Sequence, residues 1–174
     1  MYLFKVFGIV AITSVSNAQL GSSPCLSRLT VECSCPPQWQ LWGKACYRLT
    51  PASHIWDDAK SACRDLDGKM AAPQSLEEMN FMTEMAPKVD NRFSVWIACN
   101  DKEEEGTWEC DNQEGREPLV WDDGQPNNNY GDQNCARMAS VHHDRMDDYG
   151  CDYRFTAFCV RRAACTHGLT QLRH

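Results

Sequence analysis

Cysteine carries the most legible chemistry in this 174-residue chain, with eleven at positions 25, 33, 35, 46, 63, 99, 110, 135, 151, 159 and 165. Thiols at that density ligate metal, cycle redox or cross-link, and the compartment decides which. Cys33-Ser34-Cys35 in a cytosolic chain would raise zinc or redox chemistry. The first 18 residues argue for the secretory route instead. Lys5 precedes an apolar run over residues 6–15, broken by Gly8, Thr13 and Ser14, and Ser16 and Ala18 supply small residues for cleavage before Gln19. That layout predicts a signal peptide over 1–18. The apolar run is short of the about 20 residues that cross a bilayer, and no later segment is apolar enough to span. The expectation is a secreted, soluble chain over 19–174, stapled by disulfides. An odd count leaves one thiol to join a second chain, stay free or be capped.

Side-chain oxygens are the second resource. The formal net charge is −7, which argues against a nucleic-acid partner and suits hard cations bound through carboxylates. Gly, Asn, Asp and Pro dominate residues 100–149, as in Gly124, Pro126 and the triplet Asn127, Asn128 and Asn129. An irregular stretch this long is uncommon in a small domain unless it is functional. No nucleophile elbow, zinc-helix motif or phosphate loop is present, so an enzyme is not expected. There is no Asn-x-Ser/Thr sequon and no internal repeat.

The elements that would position these groups follow from periodicity. Residues 19–34 read as a polar, extended leader. Trp39 and Tyr47 flank an alternating stretch that predicts a hairpin between Cys35 and Cys46. Residues 53–68 predict a helix capped by Ser53, with Asp57 and Asp58 in its first turns and Trp56, Ala59, Cys63 and Leu66 on one face. Gly68 is its natural stop, and residues 69–72 form a candidate strand. Ser75-Leu76-Glu77-Glu78 is a capping box opening a second helix. Leu76, Met79, Met82 and Met85 line a face of it, read as core, and Pro87 ends it. Residues 93–98 predict a buried strand around Trp96, and 154–160 a closing strand. Residues 162–174 read as a polar tail, and Arg161, Arg162 and Arg173 as solvated. The expected class is α+β, with two helices, short antiparallel strands and one long disulfide-braced loop region.

Taken together, the residues are similar to those of a C-type lectin domain. Cys35-Pro36-Pro37-Gln38-Trp39, Cys46-Tyr47, Trp56, Ala59, Cys63, the Ser75 helix start and Trp96-Ile97-Ala98 resemble its first half. Asp101 to Gly106, Trp121, Gln125-Pro126-Asn127, Cys135, Asp147-Asp148, Cys151 and Phe158-Cys159 resemble its second half. The resemblance covers 35–161, and each motif is weak alone; order and spacing carry it. It implies bridges Cys63 to Cys159, Cys135 to Cys151 and, as in long-form members, Cys35 to Cys46. Cys99 and Cys110 flank a short acidic loop and are expected to pair. Termini lie close together in this fold, so Cys165 has Cys25 or Cys33 as its partner, and the one left over could link a homodimer.

The resemblance also implies a site. Sugar-binding members hold Ca2+ in the long loops, and two vicinal hydroxyls of the glycan complete the shell. Carried over residue by residue, the calcium and carbohydrate ligands fall on Gln125, Asn127, Gln133, Asp147 and Asp148, all with side-chain oxygens. The chain departs from the family pattern at three places. Gln133 stands for an acid, Met146-Asp147-Asp148 for Trp-Asn-Asp, and Gln125-Pro126-Asn127 is neither the mannose-type Glu-Pro-Asn nor the galactose-type Gln-Pro-Asp. Galactose- and mannose-type ligands therefore both stay open, with a slight lean to galactose through Gln125. Two carboxylates where the mannose-type site has three predict weaker calcium binding. Gln133 as donor and Asp147 as acceptor would serve one sugar hydroxyl. Asp101 and Glu105, with Asn128, Gln133 and Asn134, match an accessory calcium site, although a solvated acidic loop fits Asp101 and Glu105 equally. Trp108 and Tyr130 are placed either to stack on a sugar or to pack the loop; His142 and His143 are expected at the surface. The competing function is a member of the same family that binds a protein or surface ligand without sugar.

Overall fold

A computed structural model describes residues 27–86, 92–111 and 120–171. The expected signal peptide, Cys25 and Pro87 lie outside the described residues. The chain runs β1 (Ser27–Ser34), β2 (Gln40–Trp42), β3 (Ala45–Leu49), α1 (Trp56–Asp65), β4 (Lys69–Met70) and α2 (Leu76–Met85), then β5 (Ser94–Asn100), β6 (Glu109–Cys110), β7 (Cys135–Ala139), β8 (Arg145–Tyr149), β9 (Thr156–Arg162) and β10 (Ala164–Gln171). One sheet follows the order β2-β3-β9-β5-β7-β8, with β4 added beside β9 and β6 beside β5. The pairs are antiparallel except β5 with β9. This is the expected α+β class.

Helix α1 begins three residues later than Ser53, after Ile55, with no side-chain cap. The reason is tertiary. His54 exchanges backbone hydrogen bonds with Phe155, at 2.8 and 3.1 Å, which holds it extended. The amide of Trp56 then donates to the Cys151 carbonyl at 3.0 Å, so a loop satisfies a helix end that a cap would otherwise serve. At the other end Asp67, at φ +61°, takes the left-handed position. Gly68 is required for room: a Cβ there would lie 2.8 Å from Trp39 Cη2 and 3.1 Å from the Val160 carbonyl. Ser75 caps α2 as predicted, accepting from the Glu78 amide at 3.1 Å. The Glu78 carboxylate accepts from the Tyr47 hydroxyl (2.5 Å) and the Gln74 amide (2.9 Å), tying the helix to the β2–β3 hairpin. Of its apolar face, Met79 and Met82 are buried, whereas Leu76 is exposed.

The core lies between the helices and the sheet, around Trp56, Trp96, Ile97, Met138, Met146 and Phe158. Trp56 and Trp96 each donate an indole N–H at 2.9 Å, to the carbonyls of Ile97 and His54, so both rings are buried with their polar atom satisfied.

Two expectations are corrected. Residues 135–139 and 145–149, read as part of an irregular segment, are strands β7 and β8, buried at most positions. Residues 27–34 and 164–171, read within a leader and a polar tail, pair antiparallel as a two-stranded ribbon apart from the main sheet. Their pairing is non-local, and polar alternation without a core face gives no local sign of it. Disulfides join Cys33–Cys165, Cys35–Cys46, Cys63–Cys159, Cys99–Cys110 and Cys135–Cys151.

Candidate functional site

The edge strand β8 puts two adjacent acids on opposite faces, because successive side chains of a strand alternate. Asp148 faces the loop 122–134, and both its oxygens accept from that loop: Oδ1 from the Asn127 amide (2.9 Å) and Oδ2 from the Asn128 amide (2.5 Å). The loop closes on itself around this carboxylate. The Asn129 amide is shared between Asn127 Oδ1 (3.0 Å) and Gln133 Oε1 (2.5 Å), and the Gln133 amide donates to Asn128 Oδ1 (3.1 Å). Gly124, Asn128, Tyr130 and Gly131 take positive φ, and the Gln125-Pro126 bond is cis. Gly and Asn tolerate that backbone better than other residues, so this composition suits a tight, wound loop. Among the five carried-over ligands, Gln125, Asn127, Gln133 and Asp148 are brought together in this unit.

Asp147 is elsewhere engaged. It sits opposite Arg137 in the β7–β8 register. Arg137 Nε donates to its two oxygens at 3.0 and 3.1 Å, and Nη2 to Oδ2 at 2.9 Å. Both side chains are buried. The guanidinium lies 3.6 Å from the centre of the Tyr149 ring and 5.2 Å from that of Phe155. Burial pushes the Asp147 carboxyl above the usual range, with Arg137 pulling it back. His142 Nε2 adds a contact to Asp147 Oδ2 at 3.3 Å, while its Nδ1 and that of His143 reach Asp122 at 3.1 and 3.0 Å. His143 is exposed, as expected; His142 is mostly covered. The Asp122 carboxyl is held below its usual range, chiefly by the His143 ring. Arg137 was not singled out from the sequence. An arginine between Ala136 and Met138, ten residues before an acid, is the signal that was there to read.

Three buried oxygens in this region have no protein partner among the described residues: Gln125 Oε1, Asp101 Oδ1 and Asn134 Oδ1. Leaving such a group unmet costs about 1–3 kcal/mol. The other Asp101 oxygen accepts from the Gly106 amide at 2.8 Å, and its own amide donates to the Asn134 carbonyl at 3.2 Å. Burial, opposed by that Gly106 bond, pushes the Asp101 carboxyl up. Glu105 is exposed. Trp108 packs edge-on against Trp121, with ring centres 4.6 Å apart, so it serves loop packing. Tyr130 is 95 % exposed at the loop tip.

The resemblance implies a calcium ion, and the residues answer to it unequally. Gln125, Asn127, Gln133 and Asp148 fit an oxygen-ligated cation: the Gln125 oxygen is buried and unmet, and a carboxylate or amide oxygen accepting one N–H retains a second lone pair. Asp147 does not fit, because its carboxylate is shared with a guanidinium whose charge opposes a cation. Among the described residues no cluster of three His, Cys, Asp or Glu side chains forms a metal site.

A family model for the lectin C-type domain matches residues 52–161. The chain belongs to the C-type lectin domain family. It is 30% identical over 139 residues to C-type lectin domain family 4 member M of Hylobates lar, covering 76% of this chain and 33% of that protein. It thus spans about a third of the length of that relative. The cow C-type carbohydrate-recognition domain of CD23, solved in the presence of a GlcNAc2Man3 oligosaccharide, superposes with a TM-score of 0.68 at 27% identity, over 76% of this chain and 99% of that one. A calcium-independent type II antifreeze protein shares the fold at the same TM-score, 0.68, with 23% identity over 76% of this chain and 98% of that one.

Proposed function

We propose that this C-type lectin binds glycans non-covalently at the 122–134 loop, through a calcium ion held by Gln125, Asn127, Gln133 and Asp148, with Asp147 serving Arg137 instead. The observation that carries the reading is the buried, unmet Oε1 of Gln125 beside a loop wound on Asp148. The ion, when bound, would take two vicinal sugar hydroxyls into its shell. Asp148 organises the loop, the side-chain amides offer N–H donors to the same hydroxyls, and the exposed Tyr130 ring offers a face to the sugar's C–H groups. One carboxylate among four ligands favours weak affinity, at the about 10⁻⁴–10⁻³ M end of the range for extracellular modules. Five bridges suit an oxidising compartment, which supports a secreted chain with 1–18 removed. No reaction is involved. The bridges use ten of the eleven cysteines, and we assign Cys25 to a disulfide between two copies, which would give avidity to a weak site. A dimer on a non-reducing gel that becomes monomer with reductant supports this; monomer in both removes it.

The site is tested by glycan-array binding in calcium and in EDTA. Calcium-dependent binding to a coherent glycan set establishes it and decides between galactose and mannose. The alternative is a protein or surface ligand taken without calcium. It is favoured by one observation: Asp147 is committed to Arg137, and both oxygens of Asp148 accept from loop amides. Folded protein that binds no glycan in either buffer would select it.

A further inference from the structure

A groove of about 460 Å³ runs between the β2–β3 hairpin and the β4–β9 pair, lined by Trp42, Lys44, Lys69, Arg161 and Arg162 among others. A second groove, bordered by Arg64 and Asp67, shares Lys69, Val160 and Arg161 with it, so the two form one track. Lys44, Lys69 and Arg162 are exposed, and none has an ion-pair partner among the described residues. Two acids face the track. Asp67 holds Arg161 at 2.9 Å and is itself largely exposed. Glu78 is buried, with both oxygens accepting from Tyr47 and Gln74. On a chain of net charge −7, five cations against two acids leave the track net positive, which raises the local potential for an anion.

We propose that this track is a second binding site, distinct from the 122–134 loop, for a sulfated polysaccharide chain. Guanidinium forks match the oxygens of a sulfate, and lysine ammonium groups serve as point charges between them. The half-covered Trp42 ring borders the same groove and can lie against a sugar ring. Cations spread along two adjoining grooves fit a linear ligand bearing repeated charges, and the vesicle arm of the test separates it from a bilayer. The site lies at β2, β3 and β9, whereas the loop is carried by β7 and β8 at the far end of the strand order.

The test is calorimetric titration of the full chain with a heparin octasaccharide in EDTA, where the calcium reading contributes nothing. Its fully desulfated counterpart and phosphatidylserine vesicles are the comparison arms. Binding is expected, with affinity lowered about tenfold in Lys44→Ala/Lys69→Ala/Arg162→Ala, since each exposed pair contributes only modestly. All three side chains are exposed, so the variant should melt like the parent, and the three single variants stand in if it does not. Lys102→Ala/Arg145→Ala/Arg154→Ala, an equal charge change elsewhere, should bind as the parent does. The proposal is overturned by no binding to the octasaccharide. It is equally overturned by equal binding of the desulfated chain or the vesicles, or by an equal loss in the two triple variants.

Discussion

Arg137 and Asp147 form the one buried, multiply hydrogen-bonded ion pair among the described residues. Cutting one partner from such a pair is far worse than replacing both, because it strands a charge away from water. Arg137→Met is expected to lower stability by about 3–5 kcal/mol, and Arg137→Met/Asp147→Leu to recover most of it; urea midpoints measure both. In the single variant the Asp147 carboxyl, already pushed up by burial, loses the guanidinium that pulls it back. A folded-state value raised above the unfolded one is a cost at neutral pH that fades as pH falls, so the deficit should shrink from pH 7 towards pH 4. A deficit constant across that range would mean Asp147 is not the stranded charge. Asp101→Asn tests the accessory site. Its unmet oxygen and raised carboxyl predict a modest gain in melting temperature in EDTA. If the accessory site binds calcium, the same variant loses the calcium-induced rise in melting temperature. The proposed calcium ligands were legible only through what the family resemblance implies, and Gln125, Asn127, Gln133 and Asp148 sit in one loop and its neighbouring strand. The diversion of Asp147 was not, because only the antiparallel register brings a residue ten positions away across from it.

At the scale of elements, local signals succeeded where the chain's own neighbours decide and failed where distant strands do. Ser75 caps α2 because the hydroxyl and the amide it serves are three residues apart. Ser53 does not cap α1, because Phe155 holds His54 extended. β8 carries little local strand signal, because Arg145, Asp147 and Asp148 read as loop, and it is the ion pair with β7 that lets the strand be buried. The β1–β10 ribbon raises the same point about cross-links. Cys33 and Cys165 are 132 residues apart in sequence, and the chain-entropy model would give about 5 kcal/mol for a loop of that length. Bridges Cys35–Cys46 and Cys63–Cys159 shorten the path between them. The loop closed last is only about 25 residues, for which the same model gives about 3.5 kcal/mol. Cys33→Ala/Cys165→Ala should therefore cost no more than that, with early hydrogen exchange confined to β1 and β10. Loss of protection in β5 and β7 would show that the ribbon supports the main sheet.

The whole molecule separates two kinds of binding chemistry along one sheet. At the β7–β8 end, Asp148 and neutral amides are proposed to meet uncharged hydroxyls through a cation. At the β2–β3–β9 end, cations are proposed to meet anions directly. Salt should tell them apart. Raising ionic strength from about 0.15 M to 1 M shortens the Debye length from about 8 to 3 Å, which screens exposed cations in the track but leaves inner-shell coordination of a sugar largely intact. With calcium present, heparin octasaccharide binding is expected to collapse over that range while affinity for the array-selected neutral glycan changes little. Because the sites share no residue, saturating the track at low salt should leave the neutral glycan's affinity unchanged, which is zero coupling free energy in both directions. Competition between the two ligands, or a parallel fall with salt, would mean that one surface takes both, and the division of the sheet into two ends would be wrong.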